Sequence, residues 1–419
     1  MLAVFENTQD MRALEFYSGI GGLHYAHTRA CPGAKVVASF DINEAANDVY
    51  EHNFGRRTKQ INIEAVPAAQ LDRYKADCWL LSPPCQPYTR RGLGRHSRDG
   101  RASSFLALLG KLKALAHPPR YLLVENVVGF ERSDTREELV RTLRECGFAT
   151  QEWLASPADL GVPYARPRYF LLARMGHDAC FALEAGADGL LRGVPVPCAE
   201  EAGAGGREWA VSRHDALRLE QRTLAEYLEP RPEAEFEAAT SESSRSAPPM
   251  LLLSADTLHK HGWALDVVTP RHARSCCFTK TYGQYLKNSG SVVTLADSAR
   301  VADLFARFPL LLPRSETRAR PQQGGEKAAA EELGEAGDGT ARPSLAEPAD
   351  KAQLRAQVAE ALAPLRPRFF APREIANLHG FPASFCFPAE TSLKQRHAML
   401  GNSLSVDVVS HLLVYLFSR

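Results

Sequence analysis

One cysteine, Cys85, follows an apolar run and two prolines in the stretch LLSPPCQP at residues 80–87. The run Cys78–Leu81 predicts a short buried strand, and the prolines that follow cannot donate to a sheet and restrict the residues before them to extended geometry. Cys85 is therefore expected on a stiff path at the carboxyl end of a strand, where open α/β sheets bind ligands. This position suits a thiolate nucleophile, and a buried structural thiol is the alternative that the loop alone leaves open.

A glycine-rich turn, YSGIGG at residues 17–22, follows the first predicted strand at 11–16. Glycines allow a ligand to approach the backbone, and the start of the helix that follows offers free N–H groups. The residues of this turn that we expect in a cofactor site are Ser18, Ile20, Gly21 and Gly22.

Two acidic positions extend this predicted cradle. Asp41 ends the next predicted strand, Lys35–Phe40, where an acid can bind a ribose diol, and a helix cap is the alternative role. Ile63 and Glu64 lie in a polar turn that we expect at the carboxyl end of a third strand. The turn and the acid fit a nicotinamide site or an S-adenosylmethionine site, and these residues do not choose between the two.

Acid–base and anion-binding residues follow two further strands. Glu125 closes the apolar strand predicted at 121–124, where burial tends to raise the pKa of a carboxyl group and suits a proton donor. The alternative is an acid that caps a turn or pairs with an arginine. Arg166 and Arg168 flank one proline and point the same way on an extended backbone, so they could clamp an anion or a base.

Five motifs, taken in chain order, resemble the motif set of the cytosine-C5 methyltransferase family. They are FYSGIGG at 16–22, SPPCQP at 82–87, ENV at 125–127, RPR at 166–168 and GNS at 401–403. Within this family, the stretch CCFTKTYG at 276–283 is similar to the signature of the aspartate transfer-RNA methyltransferases, which modify cytosine 38 of the anticodon loop. The resemblance covers nearly the whole chain.

The resemblance implies a role for each motif. Cys85 would add to C6 of cytosine, Glu125 would hydrogen-bond N3, and Arg168 would stabilise O2, while Arg166 would do the same or support Glu125. S-adenosylmethionine would be held by the glycine-rich turn and the predicted acidic positions. The remaining members of this implied cofactor site are Asp41, Ile63, Glu64, Ser82 and Ser403.

Composition is ordinary for a soluble globular protein, with 45% hydrophobic and 24% charged residues. The formal net charge is +1, so affinity for nucleic acid must come from local patches. The nine cysteines include no CxxC pair, which argues against a zinc site or a disulfide framework. No apolar run approaches the roughly 20 residues of a membrane span. We expect a cytoplasmic monomer without metal or membrane contact, with the nucleus as a second location.

The predicted fold is α/β, the Rossmann-like fold of S-adenosylmethionine-dependent methyltransferases with a doubly wound sheet. Residues 1–180 and 368–419 form the catalytic domain, and residues 181–367 form an inserted target-recognition domain. That insertion contains predicted strands at 264–268 and 275–279 and low-complexity segments near 184–250 and 314–352. Its basic residues interleave with tyrosines, which suits an unpaired nucleic-acid loop. The candidate substrate contacts are Arg274, Lys280 and Tyr282.

The leading hypothesis is a transfer-RNA methyltransferase that modifies C5 of cytosine 38 in aspartate transfer RNA through a covalent adduct with Cys85. A DNA (cytosine-5) methyltransferase, with DNA as main or secondary substrate, has the same catalytic motifs. A non-catalytic RNA-binding protein on this scaffold is a third reading, and the intact catalytic motifs argue against it.

Overall fold

The computed structural model describes residues 10–84, 100–176, 179–198, 208–212, 221–229, 251–296, 298–311 and 348–418. Cys85 and the part of the predicted insertion between 312 and 347 lie outside these ranges. The fold is therefore built from the residues on either side of them.

The chain divides into two compact units. The first is formed by Met1–Gln221 with Ala376–Arg419, and the second by Arg222–Ile375. The sequence placed these boundaries at 180 and 368. The first unit extends further because residues 190–192 add a strand to its sheet and residues 194–197 pair with 209–212.

A mixed seven-stranded sheet organises the first unit. Its strands are β1 (Arg12–Phe16), β2 (Lys35–Phe40), β3 (Cys78–Leu81), β4 (Tyr121–Val127), β5 (Phe148–Ala155), β6 (Arg168–Met175) and β7 (Leu190–Arg192). Their order is β2-β1-β3-β4-β6-β5-β7. Strands β2, β1, β3 and β4 pair with one another in parallel. Strand β6 is antiparallel to both β4 and β5. The predicted α/β class is confirmed, with a mixed sheet.

Four short strands lie outside this sheet. They are β8 (Val194–Pro197) and β9 (Trp209–Ser212) in the first unit, and β10 (Val267–Val268) and β11 (Val292–Val293) in the second. The segment predicted as low complexity near 184–250 is thus partly ordered into β7, β8 and β9. The prediction of a strand at 275–279 is wrong, because β10 pairs with β11 instead.

Helices occur in both units. They are α1 (Gly22–Ala30), α2 (Glu44–Phe54), α3 (Ala68–Asp72), α4 (Gly100–Leu112), α5 (Asp134–Glu145), α6 (Ala255–His261), α7 (Ser298–Arg307), α8 (Pro348–Leu362), α9 (Pro372–Leu378), α10 (Leu393–Asn402) and α11 (Val406–Phe417). Short 3₁₀ helices are Ile63–Ala65, Phe130–Arg132, Pro157–Leu160, Leu224–Glu226, Gly262–Ala264, Pro309–Leu311 and Ala363–Leu365. Because α8 begins at Pro348, the last residues of the predicted 314–352 low-complexity segment belong to a helix.

Strand β3 lies near the centre of the sheet, and all four of its residues are buried. Local signals fix the neighbouring helices. The side chain of Asn43 accepts from the Ala46 N–H at the start of α2, and Gly55 ends that helix in a left-handed conformation (φ +63°). The polar turn with Ile63 opens a 3₁₀ helix between α2 and α3, before β3 in the chain, so its predicted place after a third strand is wrong.

One stretch of the described chain, Leu393–Phe417, is long and apolar enough to cross a membrane, which the sequence expectation missed. It comprises α10 and α11, and 78% of its most apolar window is buried inside the protein. Helix α11 packs on α1, where the Ser410 hydroxyl lies 3.4 Å from the Ala26 carbonyl. This burial is typical of a core helix.

The second unit has its own core, which surrounds a buried charge pair. Arg368 donates to both carboxylate oxygens of Glu374, at 2.8 and 2.7 Å, and the two side chains are 3% and 0% exposed. Glu374 also accepts the N–H groups of Ala371 and Glu229. This network ties the segment before α9 to the rest of the unit.

Candidate active site

A cavity of about 570 Å³ lies in the first unit at the carboxyl ends of β1, β2, β3 and β4. It brings together eleven of the predicted site residues. They are Ser18, Ile20, Gly22, Asp41, Ile63, Glu64, Ser82, Glu125, Arg166, Arg168 and Ser403. The carboxyl ends of parallel strands meet at one edge of a sheet, which is why residues so far apart in the chain converge.

The glycine-rich turn packs tightly against α2 and the segment after α10. Gly21 has a φ of +86°, and a Cβ built there would lie 2.2 Å from the Phe54 ring. A Cβ on Gly22 would lie 3.1 Å from the Ser403 hydroxyl. Gly21 does not line the cavity, so its predicted ligand contact is replaced by a packing role that only glycine fills without strain.

Asp41 fixes this turn from the end of β2. One carboxylate oxygen accepts the Gly19 N–H and the other accepts the Asn43 N–H, each at 2.8 Å. Burial raises the pKa of Asp41, and these backbone donors oppose the rise. The carboxylate lines the cavity while it orders the backbone on both sides.

A buried network lies beneath the turn and was not predicted. Glu15 on β1 is fully buried and accepts the Tyr50 hydroxyl at 2.9 Å and the His24 N–H at 3.2 Å. The His24 ring lies 2.7 Å from the Tyr50 hydroxyl. Burial raises the pKa of Glu15 to about 8 and lowers that of His24 to about 3. The sequence signal for this network was an acidic residue, Glu15, inside an otherwise apolar strand. Glu15 precedes the glycine-rich turn and bonds His24, which follows it.

The segment that leads to Cys85 is held by three hydrogen bonds. Ser82 donates its N–H to the Phe16 carbonyl (3.3 Å) and its hydroxyl to the Tyr17 carbonyl (2.9 Å). Asn126 donates its side-chain amide to the Pro83 carbonyl at 3.3 Å. Ser82, Pro83 and Pro84 all line the cavity, and Cys85 itself lies outside the described residues.

Glu125 and Arg168 face each other across β4 and β6. Arg168 is opposite Val127 in the antiparallel register, so Glu125 lies two residues along on the same face. The Arg168 Nε lies 3.4 Å from a Glu125 carboxylate oxygen, and the side chains are 16% and 12% exposed. Burial raises the pKa of Glu125, while the charges of Arg168 and Arg166 oppose the rise. The site therefore contains a carboxyl group whose pKa is raised by burial, beside a guanidinium.

Arg166 is 2% exposed and bonded to the segment after α10. Its guanidinium donates to the carbonyls of Gly401 (3.0 Å) and Ser403, and it lies 3.3 Å from the Tyr164 hydroxyl. Arg166 thus holds the backbone that lines the cavity and lines the cavity itself, and its role in stabilising O2 or supporting Glu125 stays a prediction.

Some cavity residues were not predicted. Ile42, directly after Asp41, is 71% exposed and offers an apolar face at the rim. Met399 and Asn402 enter from α10. Their positions depend on long-range packing, and only the exposed apolar residue beside a predicted acid offered a signal.

The second unit carries the three predicted substrate contacts, with different outcomes. Lys280 is exposed and Arg274 is half-buried. Tyr282 is 1% exposed, and its hydroxyl bonds the Ser291 carbonyl and the Phe370 N–H. Tyr282 therefore packs in the core, and the prediction that it contacts substrate is wrong for this structure.

No group of three or more His, Cys, Asp or Glu side chains among the described residues could hold a metal ion. A cavity at the carboxyl edge of a mixed α/β sheet, with a glycine-rich turn and a Glu–Arg pair, instead defines an enzyme of the methyltransferase class. The family model described as C-5 cytosine-specific DNA methylase matches residues 11–180 and 275–417, and the chain belongs to that family. Membership implies S-adenosylmethionine as the methyl donor.

Similar proteins extend over nearly the whole chain. A tRNA (cytosine(38)-C(5))-methyltransferase of Rattus norvegicus is 34% identical over 432 residues, which cover 97% of this chain and 99% of that protein. A DNA (cytosine-5)-methyltransferase of Dictyostelium discoideum is 30% identical, with 98% and 95% covered. The crystal structure of the S. pombe Dnmt2 methyltransferase is 27% identical, with a TM-score of 0.66 and 97% and 98% covered.

Proposed function

We propose that this enzyme transfers a methyl group to C5 of cytosine 38 in the anticodon loop of aspartate transfer RNA. The observation that carries the proposal is the Glu125–Arg168 pair, which faces the cavity beside the segment leading to Cys85. The transfer-RNA methyltransferase from rat, similar over 97% of this chain, supports the choice of substrate. The choice of aspartate transfer RNA rests on the resemblance through residues 276–283.

The cavity residues fit S-adenosylmethionine. The Ser18 hydroxyl is buried and has no hydrogen-bond partner among the described residues, so it is available to a polar ligand. Two carboxylates, of Asp41 and Glu64, line the same space and suit hydroxyl and ammonium groups. A side chain at 21 would collide with Phe54, and one at 22 would crowd Ser403, so glycines keep the turn close to these residues. When bound, the cofactor supplies an electrophilic methyl group.

The chain's own residues activate the cytosine. Carbon C5 is a poor nucleophile until a thiolate adds to C6, and we assign that step to Cys85. The electron density displaced from the C5–C6 bond moves towards N3 and O2. Protonated Glu125 donates to N3, and Arg168 stabilises O2. After methyl transfer a base removes the C5 proton, the C5–C6 double bond reforms and the Cys85 thiolate leaves. Arg166 keeps the wall formed by residues 401–403 in place.

Cys85→Ala should abolish product, because no other group is proposed to add to C6. With 5-fluorocytosine at the target position, the unaltered enzyme should form an adduct that survives denaturing electrophoresis, since fluorine cannot leave as a proton does. Cys78→Ala, which alters a buried cysteine of β3, is the matched control and should retain the adduct. Methylation by Cys85→Ala at a comparable rate would refute the thiolate mechanism.

DNA is the second candidate substrate, because the Dictyostelium relative is named as a DNA methyltransferase. An anticodon loop presents cytosine partly unstacked, whereas extrusion from a duplex costs on the order of a few kcal/mol. The test supplies labelled methyl donor with either aspartate transfer RNA or mixed-sequence duplex DNA at equal salt. A cytosine-38→uridine transfer RNA is the control and should remain unlabelled. Faster labelling of the DNA would refute the transfer-RNA assignment.

A further inference from the structure

Two cations flank an indole ring on the surface of the second unit. Trp263 is half-buried, with the Lys287 ammonium 5.8 Å and the Arg355 guanidinium carbon 5.4 Å from its ring centroid. The indole N–H lies 3.2 Å from the Lys260 carbonyl, which fixes the ring's orientation. The three side chains come from a 3₁₀ helix, a turn and α8, so the fold assembles them.

Lys287 and Arg355 are exposed, and neither forms an ion pair within the part of the chain that the structure describes. Residues 256–296 contain five lysines and arginines and two carboxylates, Asp256, which pairs with Lys260 at 2.8 Å, and Asp266. Asp266 is buried and accepts the Ser291 hydroxyl, so its charge is turned away from solvent. The surface potential of this stretch is therefore positive although the whole chain is nearly neutral.

An exposed aromatic side chain lies close to Lys287 in sequence. Tyr285, two residues before Lys287, is 66% exposed, whereas Tyr282 in the same turn is buried. A large aromatic side chain in solvent beside cations matches the composition of single-stranded nucleic-acid sites, where bases stack on rings and cations contact phosphates.

A second cation–ring pair in this unit shows what a purely structural contact looks like. The Arg307 guanidinium carbon lies 5.4 Å from the Phe308 ring centroid, but Arg307 also pairs with Asp303 at 3.4 Å. The Arg307 charge is compensated by Asp303 within α7. Lys287 and Arg355 have no carboxylate partner among the described residues, so their charges can contact an anionic ligand.

We infer that Trp263, Lys287, Arg355 and Tyr285 form a docking surface for folded RNA, in which the two cations contact phosphates and Tyr285 stacks on an unpaired base. The choice of RNA rests on the proposed function and on the exposed ring, because a fully paired duplex offers no free base face. The surface is distinct from the predicted contacts Arg274 and Lys280, and it supplies affinity for the nucleic acid outside the reacting base.

The test measures transfer-RNA affinity against salt for the unaltered enzyme, Lys287→Gln/Arg355→Gln, and the control Arg307→Gln. Each lost phosphate contact should lower the slope of log affinity against log salt by about 0.7 to 0.9, so the double variant should lose about 1.4 to 1.8. Arg307→Gln should leave the slope unchanged. Methyl-donor affinity and melting temperature, measured on each variant, should stay at the unaltered values.

Tyr285→Ala separates stacking from charge. It should weaken transfer-RNA binding about 5- to 100-fold with an unchanged salt slope, because a neutral ring releases no counterions. An unchanged slope in the double variant would overturn the docking surface even if the enzyme methylates transfer RNA. If the double variant lowers the salt slope for binding to duplex DNA but not for binding to transfer RNA, the choice of RNA would be overturned. The proposed function fails separately, if the unaltered enzyme does not label transfer RNA.

Discussion

Each unit pairs an arginine with a glutamate, and the two pairs differ in burial and in how many hydrogen bonds the carboxylate accepts. In the second unit, Arg368 and Glu374 form two bonds at 2.8 and 2.7 Å, and Glu374 accepts two backbone N–H groups as well. In the first unit, Arg168 and Glu125 approach at 3.4 Å through one nitrogen and line a cavity. The residue types are the same, and the surroundings differ.

This difference separates stability from chemistry. In the second-unit pair both carboxylate oxygens of Glu374 are bonded, while the Arg368 Nε has no partner among the described residues. A buried pair of this kind costs several kcal/mol to break. A loosely paired carboxyl group whose pKa is raised by burial retains hydrogen-bonding capacity for a substrate. We therefore expect the first-unit pair to govern rate and the second-unit pair to govern folding.

The largest effect should follow Glu125→Gln. The amide cannot deliver a proton as the carboxyl group does, so the single-turnover rate of methyl transfer should fall by about 10² to 10⁴. Its melting temperature should change little, because only one long contact to Arg168 is lost. A large drop in melting temperature, comparable to that of Glu374→Gln, would remove the distinction between the two pairs.

Glu374→Gln should act in the opposite way. It leaves the Arg368 charge buried without a counter-ion, so the free energy of unfolding should fall by about 3 to 5 kcal/mol in urea titrations. The activity per folded molecule should stay at the value of the unaltered enzyme, so any lost activity should match the lost folded fraction. Glu360→Gln, an exposed change in α8 of the same unit, is the control and should be nearly neutral. A loss below about 1 kcal/mol would contradict the structural role.

A third buried group tests whether the lack of a partner is enough to mark a ligand site. His27 on α1 is fully buried, and neither ring nitrogen has a hydrogen-bond partner within the described residues. Burial lowers its pKa to about 4 from the usual 6.5. As pH falls through this window the unfolded chain binds a proton and the folded protein does not, so stability should fall by about 3 kcal/mol.

His24, with a pKa of about 3, adds a similar decline, whereas Glu15, with a pKa raised to about 8, opposes both because the folded protein holds its proton. His27→Leu should therefore be more stable at pH 4 relative to pH 7 than the unaltered enzyme by about 3 kcal/mol. Urea titrations at several pH values measure it, with the exposed change His259→Gln as the control. The activity of His27→Leu at pH 7 should match the unaltered enzyme, in contrast to a variant of the unpartnered Ser18 in the cavity. If His27→Leu loses as much stability between pH 7 and pH 4 as the unaltered enzyme, the role of buried His27 in acid sensitivity would be refuted.

The smallest effect should come from deleting residues 314–347, which end before α8. So polar a segment, rich in Glu, Ala, Gly and Pro, contributes little apolar burial. Melting temperature and the rate of transfer to RNA should both remain close to the full-length values. Extending the deletion to 362 removes α8 with Arg355 and serves as the destabilising comparison. A large loss on deleting 314–347 alone would show that the segment folds or contacts RNA.

The cavity was predictable from the sequence because local signals mark it. Glycines, prolines and acids follow apolar strands, and the geometry of a parallel sheet brings those strand ends together. The role of Arg166 was not predictable, because its carbonyl partner at Gly401 lies 235 residues away. Tyr282 and Tyr285 show the same limit at short range. They are three residues apart in an irregular turn, which has no fixed period to say which ring faces inward.

Helix α11 gives the architecture a consequence for biosynthesis. Ten of its twelve residues are buried, and it packs against α1, where Ala26 and Ser410 are 384 positions apart in the sequence. A nascent chain therefore leaves the apolar side of α1 uncovered until α11 has been synthesised. A premature stop codon just before Val406 would still encode every residue that lines the cavity. It would nevertheless behave as a null allele, because the covering helix of the core would never be made.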